Sequence, residues 1–82
     1  MEQAGMTIAG ATVHIGHSIK AWMGCVELTA SWLARHLACD RTNIYKLFHR
    51  RSVDSNTLMK VSLALHHDFF ALYTTAYNEA LR

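Results

Sequence analysis

Apolar residues recur every three or four positions along most of the chain, which is the spacing of an amphipathic helix. Short polar stretches interrupt this pattern, so it predicts several short helices. Proline, which interrupts helices, is absent from all 82 residues. We therefore expect an all-α, compact five-helix domain over 14–82. Its expected helices are about 14–25, 30–37, 41–50, a fourth after a cap at Asp54 or Ser55, and a fifth from Phe69 to about Ala80.

Polar residues stand where several of these helices should begin. Thr29, Asp40 and Asp68 precede the second, third and fifth helices, and such side chains accept hydrogen bonds from the first N–H groups of a helix. The Asp40 carboxylate would also lie at the positive end of the helix dipole. Before the first helix, residues 1–13 predict a tail, or a short strand that pairs with a second subunit.

The third predicted helix is unusually basic for a chain whose net charge is only +2. The stretch CDRTNIYKLFHRR, residues 39–51, holds four of the eight Lys and Arg residues: Arg41, Lys46, Arg50 and Arg51. A solvated basic face on an ordinary helical bundle would explain this clustering without any partner.

The same helix also has an apolar face. On a helical wheel Ile44, Leu47 and Phe48 lie together. The opposite face carries polar residues, which are Thr42, Lys46 and His49. Packing the apolar face against the domain would therefore leave the polar face projecting into solvent.

Two short helices joined by a turn of about three residues, the second of them basic, predict a helix-turn-helix. The residue types on the third helix suit DNA. Arg can donate two hydrogen bonds to guanine, Asn can pair with adenine, and Thr offers a hydroxyl or a methyl group. Lys and Arg elsewhere can contact phosphates, which contribute more to affinity than to sequence choice.

The chain resembles the Cro/C1-type helix-turn-helix family over about 14–74. The resemblance is carried by the stretch LTASWLARHLACDRTNIYKLFHRRSVDSNTLMKVSLALHHDFF. The elements that carry it are Thr29, the Leu33-Ala34 pair, Asp40 before Arg41-Thr42-Asn43, and Leu58 with Leu65. It implies a lambda-repressor-like fold and a small bacterial transcriptional regulator. Such a protein would bind double-stranded DNA with its third helix in the major groove.

The resemblance also implies roles for individual residues. Those expected to contact bases are Arg41, Thr42, Asn43 and Lys46. Those expected to contact the DNA backbone are Thr29, Tyr45, His49, Arg50 and Arg51.

Three departures from the family pattern bear on these expectations. Ala30 stands where many members have a Gln that contacts DNA, so that contact is not expected here. Ala38 stands where the turn often has Gly, and a positive φ there would cost about 1 kcal/mol. Met23 and Phe48 replace a frequent buried Arg–Glu pair, and apolar residues can replace such a pair at little cost.

The fifth helix carries more apolar residues than one stripe requires. Those expected to form a homodimer interface are Phe70, Tyr73, Tyr77 and Leu81, because exposed apolar patches often mark interfaces. The alternative for this helix is a broad apolar stripe that packs entirely against the core.

The alternative to DNA binding is a protein-interaction module, such as an antitoxin or adaptor, whose protein partner is unknown.

Other classes of function are not expected. No run approaches the roughly 20 apolar residues of a membrane span, and residues 1–13 lack the features of a signal peptide, so we expect a cytoplasmic location. Cys25 and Cys39 are interpreted as small packing residues. The six histidines match no metal-site spacing and no catalytic arrangement is present, so we expect no metal, no cofactor and no enzymatic activity.

Overall fold

Five helices account for most of residues 13–81, the part of the chain that the computed structural model describes. They are α1 (Ile15–Cys25), α2 (Ala30–His36), α3 (Arg41–Phe48), α4 (Ser55–Leu65) and α5 (Phe70–Ala80). No strand occurs within these residues, so the predicted all-α, five-helix class is confirmed. The predicted tail or strand at 1–13 lies outside the described residues except for Val13.

Two helix starts are capped as the sequence predicts. The Thr29 hydroxyl accepts a hydrogen bond from the N–H of Trp32 at 3.1 Å. The Asp54 carboxylate accepts bonds from both the N–H (3.1 Å) and the hydroxyl (2.7 Å) of Thr57, which makes Asp54 rather than Ser55 the cap of α4. Near α5, the Asp68 carboxylate accepts a bond from the N–H of Phe70.

Helix α3 begins at Arg41 as predicted, but its cap and its end differ from the prediction. Asp40 occupies the N-cap position, but its carboxylate makes no capping hydrogen bond, because the N–H of Asn43 donates to its backbone carbonyl instead (3.0 Å). The helix also ends at Phe48 rather than near Arg50. The N–H groups of His49 and Arg50 bond to carbonyls three residues back, which closes the helix with a tighter turn.

The core is formed by one face of each of the first four helices and by Phe69. Its buried members are Ile15, Ile19, Met23, Leu33, Ala34, Ile44, Leu47, Phe48, Leu58, Val61, Leu65 and Phe69. Helix α3 packs against both α1 and α2, and α2 also packs against α4. Helix α5 has no buried residue, and only its first turn, through Phe70 and Leu72, packs against the core.

The start of α1 meets the backbone at the end of α3. The N–H of Ile15 donates to the carbonyl of Arg51 (3.0 Å), and the N–H of Gly16 donates to that of Arg50 (2.9 Å). A Cβ atom at Gly16 would lie 2.6 Å from the carbonyl carbon of Phe48, closer than real Cβ atoms approach. The missing side chain of Gly16 therefore permits this contact, and the two hydrogen bonds hold the end of α3 against α1.

Within residues 13–81, three residues that are not glycine adopt a left-handed backbone after helices. Their φ angles are 58° at Glu27, 55° at Ala38 and 52° at His66. The positive φ considered for Ala38 is therefore present, and it carries a cost of about 1 kcal/mol relative to an unstrained turn.

Packing bears out some expectations for individual side chains and corrects others. Met23 and Phe48 are both buried, as an apolar replacement of an ion pair requires. Trp22 and Trp32 are only partly buried at the edge of the core. Cys25 is exposed, so its interpretation as a packing residue was wrong. It lies at the end of α1, beyond Met23, which is the last core residue of that helix.

In the described part of the chain, no helix has the length and apolar character needed to cross a membrane.

Candidate nucleic-acid interface

Helix α3 has one buried face and one open face. Ile44, Leu47 and Phe48 are buried against the neighbouring helices, and they fix the rotation of α3 about its axis. The side chains expected to contact bases are all exposed: Arg41, Thr42, Asn43 and Lys46. Because α3 is only eight residues long, these four side chains occupy one short surface that nothing else in residues 13–81 covers.

The side chains expected to contact the DNA backbone are also exposed: Thr29, Tyr45, His49, Arg50 and Arg51. Thr29 lies at the start of α2, where its hydroxyl caps the helix. The other four lie on α3 and on the segment that follows it.

Two of these residues are positioned by backbone hydrogen bonds. The carbonyls of Arg50 and Arg51 accept the N–H groups of Gly16 and Ile15, as described above. The side chains of these arginines therefore extend from a segment that is tied to α1, although it lies beyond the last residue of α3. The backbone at Arg50 and Arg51 is therefore held in place by α1, although α3 ends before these residues.

Tyr45 is held by its neighbour on α3. Its ring contacts that of Phe48 edge to face, with centroids 6.2 Å apart and an angle of 75° between the planes. Half of the residue, 52%, remains exposed. The Tyr45 ring is thus positioned by Phe48 while about half of the residue stays exposed.

One flank of α3 lines an open concavity. Asn43, Lys46 and Arg50 lie at its polar side, and Leu37, Cys39 and Leu47 are among its apolar lining. Thr57 of α4 completes it. Three of the predicted DNA-contacting residues therefore line one concavity, two of them on α3 and one just after it, next to the start of α4.

The stacking of His14 and His17 at the start of α1 was not predicted from the sequence. In the structure their rings stack with centroids 3.6 Å apart. Lost hydration lowers the pKa of His14, and the charges of His17, Arg51 and His49 lower it further. Only the spacing of His14 and His17 could be found in the sequence, because the approach of Arg51 and His49 depends on the packing of α1 against α3.

The residues expected at a dimer interface lie on α5 and beyond it. Tyr77 is 64% exposed, Leu81 is 68% exposed, and Tyr73 is exposed as well. Phe70 is half-buried against the core. Within residues 13–81, only the first turn of α5 therefore packs against the core, and Tyr73, Tyr77 and Leu81 remain exposed.

No group of three or more His, Cys, Asp or Glu side chains in the described residues is placed to hold a metal ion. Comparisons of the chain with protein-family models, with curated proteins and with solved structures found no match. What the α3 surface binds is therefore inferred from its geometry and its residue types.

Proposed function

We propose that this chain is a small, cytoplasmic bacterial transcriptional regulator that binds double-stranded DNA sequence-specifically. In this proposal α2, the turn at 37–40 and α3 form a helix-turn-helix, and α3 enters the major groove. The observation that carries it is the division of α3 into a buried apolar face and an exposed face with Arg41, Thr42, Asn43 and Lys46. A major groove about 12 Å wide admits such a helix.

The order of these residues along α3 fits that placement. Recognition helices of this motif contact base edges mainly through their N-terminal residues. Arg41, Thr42 and Asn43 are the first three residues of α3. Lys46 follows one turn later on the open face, so the four side chains would contact a few successive base pairs.

The surrounding charges fit phosphate binding. Arg50 and Arg51 follow α3 on a segment that is fixed to α1, and Thr29 lies at the start of α2. These residues would contact phosphates on either side of the groove. Such contacts position the protein and make its affinity depend strongly on salt concentration.

We further propose that two copies associate through the exposed apolar residues Tyr73, Tyr77 and Leu81 on α5 and just after it, with the half-buried Phe70 at the edge of this surface. A two-fold dimer would place its α3 helices in successive major grooves, about 34 Å apart, on a near-palindromic site. Sedimentation checks this step. Tyr77→Lys with Leu81→Lys should yield a folded monomer, and a wild-type protein that stays monomeric at micromolar concentration and on DNA would contradict it.

The main test is selection of bound duplexes from a random DNA pool, followed by affinity measurements on variants. Arg41→Ala and Lys46→Ala should each weaken binding to the selected duplex by about 1–3 kcal/mol if they contact bases. Lys60→Ala is the matched control, because Lys60 is an exposed cation on α4 and lines a concavity that contains no α3 residue. Circular dichroism should show the same helix content in all variants.

The outcomes separate the two candidate functions. No enriched motif, with binding no tighter than about 10 μM at physiological salt, would mean only non-specific attraction and would overturn the proposal. A protein-interaction module is the second candidate, and the uncovered surface of α5 favours it. It predicts that a protein partner is still bound after Arg41→Ala and Lys46→Ala, and is lost after Tyr77→Lys.

A further inference from the structure

The concavity beside α3 combines an apolar lining with two positive charges. Leu37, Ile44 and Leu47 are among its apolar lining, and Lys46 and Arg50 lie at its polar side. None of the described residues that line it is acidic. Ligand sites are mostly apolar cavities with a few polar groups that orient the ligand. This concavity therefore suits a molecule with an apolar body and a negatively charged group.

Both cations are available to such a molecule. Within residues 13–81, neither the Lys46 side chain nor the Arg50 side chain makes a hydrogen bond or an ion pair. The acid at the start of α4, Asp54, is engaged elsewhere, because its carboxylate accepts bonds from the N–H and the hydroxyl of Thr57. An anion would therefore gain two cationic partners without displacing an existing one. Arg can hold a carboxylate through two parallel hydrogen bonds.

The volume of the concavity limits the size of the ligand. It is about 190 Å³, whereas pockets that hold drug-sized molecules measure about 300–1,000 Å³. A single ring or a short branched chain with one carboxylate is of suitable size. So small a ligand in an open concavity binds weakly, and we expect a Kd on the order of 1 mM.

The polar side of the concavity is also part of the proposed DNA interface. Asn43 and Lys46 are expected to contact bases, and Arg50 is expected to contact phosphate. We propose that the concavity binds a small organic anion with an apolar body, and that this ligand competes with DNA for Asn43, Lys46 and Arg50. The competition rests on the proposed DNA binding. The binding of the anion rests only on the concavity.

Cys39 provides a direct measure of occupancy. It is partly buried and lines the concavity, whereas Cys25 is exposed at the end of α1 and does not line it. Benzoate, which joins one ring to one carboxylate, is the probe. The experiment measures the rate at which iodoacetamide alkylates each thiol, by mass spectrometry, as benzoate is added. We expect saturating benzoate to slow alkylation of Cys39 several-fold and to leave Cys25 unchanged.

Two related compounds separate the contributions of charge and shape. Benzamide has the same ring without the charge, and acetate has the carboxylate without the ring. At equal concentration both should protect Cys39 much less than benzoate does. Acetate also matches the ionic strength of benzoate.

A charge-removing variant tests the cationic side of the site. Lys46→Met keeps a long unbranched side chain without the charge, so it should weaken protection of Cys39 by benzoate several-fold. Lys60→Met is the matched control, because Lys60 is an exposed cation that lines a different concavity. It should leave the protection unchanged.

Competition is tested on the selected duplex. Benzoate at ten times its Kd should weaken binding of this duplex by wild type about tenfold relative to the same concentration of acetate. Cys39→Leu fills the concavity without changing a predicted DNA contact, so it should bind the duplex as wild type does and respond equally to benzoate and acetate. Cys39→Val replaces it if thermal denaturation shows that the Leu variant is unfolded.

The possible failures are distinguishable. The anion site is overturned if benzoate does not slow alkylation of Cys39, if Cys25 is protected equally, or if benzamide protects as well as benzoate. Selective protection of Cys39 without an effect on duplex affinity beyond that of acetate overturns the competition. A wild type that binds no duplex overturns the proposed function and the competition with it, while selective protection of Cys39 in that same chain supports the anion site.

Discussion

Gly16→Ala tests the contact that holds α3 in place. The added methyl group would lie 2.6 Å from the carbonyl carbon of Phe48, and the carbonyl oxygens of Leu47 and Phe48 are closer still. All three atoms belong to the backbone, so no side-chain rotation relieves the overlap. The start of α1 must therefore move away from the end of α3.

The expected cost follows from what this movement disrupts. Overpacking costs about 1–3 kcal/mol. The bonds from Ile15 to Arg51 and from Gly16 to Arg50 contribute about 1 kcal/mol each. The helix preference of Ala over Gly returns up to about 1 kcal/mol. The net loss is about 2–4 kcal/mol, which lowers the Tm of a domain this size by about 10–25 °C.

Gly24→Ala provides the matched control within the same helix. Nothing lies within 4 Å of a Cβ atom at Gly24, and its φ is not positive. This change should raise stability by about 0.4–1 kcal/mol. Thermal and urea denaturation of both variants measure the difference. If Gly16→Ala stabilised the protein as Gly24→Ala does, the close packing of α1 on α3 would be refuted. The attachment of Arg50 and Arg51 to α1 would be refuted with it.

Two other predictions concern the turns and caps. Ala38→Gly should raise stability by about 0.5–1 kcal/mol, because Gly accepts the φ of 55° without strain, and a urea midpoint that does not rise would contradict this. Hydrogen bonds from the hydroxyl and the N–H of Thr57 lower the pKa of Asp54. The folded pKa lies below the unfolded one, so the ionised carboxylate stabilises the fold above the unfolded pKa. That contribution is lost as the pH falls from about 4 through the folded pKa. Asp54→Asn should therefore show a smaller fall in Tm between pH 7 and pH 3 than wild type, and an equal fall would contradict the cap.

The helices were predictable because the information that specifies them is local. Three-to-four-residue spacing placed Ile44, Leu47 and Phe48 on one face, and the exposure of the opposite face followed from the same spacing. The caps at Thr29 and Asp54 need only a side chain and an N–H group three residues later. Such interactions do not depend on the rest of the fold.

The features that escaped prediction depend on distant parts of the chain. The segment after α3 is held by backbone groups of α1, and sequence spacing carries no sign of that pairing. The effect of Arg51 on the pKa of His14 has the same origin, since Arg51 approaches His14 only once α1 and α3 have packed. The exposure of Cys25 reflects where the core ends along α1, which the apolar pattern does not specify.

Helix α5 also bears on how the chain responds to its own abundance. It has 11 residues and none of them is buried, and isolated helices shorter than about 12–15 residues are only marginally stable in water. In a chain that self-associates through Tyr73 and Tyr77, the last turns of α5 would gain their protection from the second copy. Amide hydrogen exchange there would slow as the protein becomes more concentrated, while exchange at Leu33 and Val61 in the core would not. The concentration of the protein in the cell would then set the fraction of chains that self-associate, and no bound effector would be needed for that response.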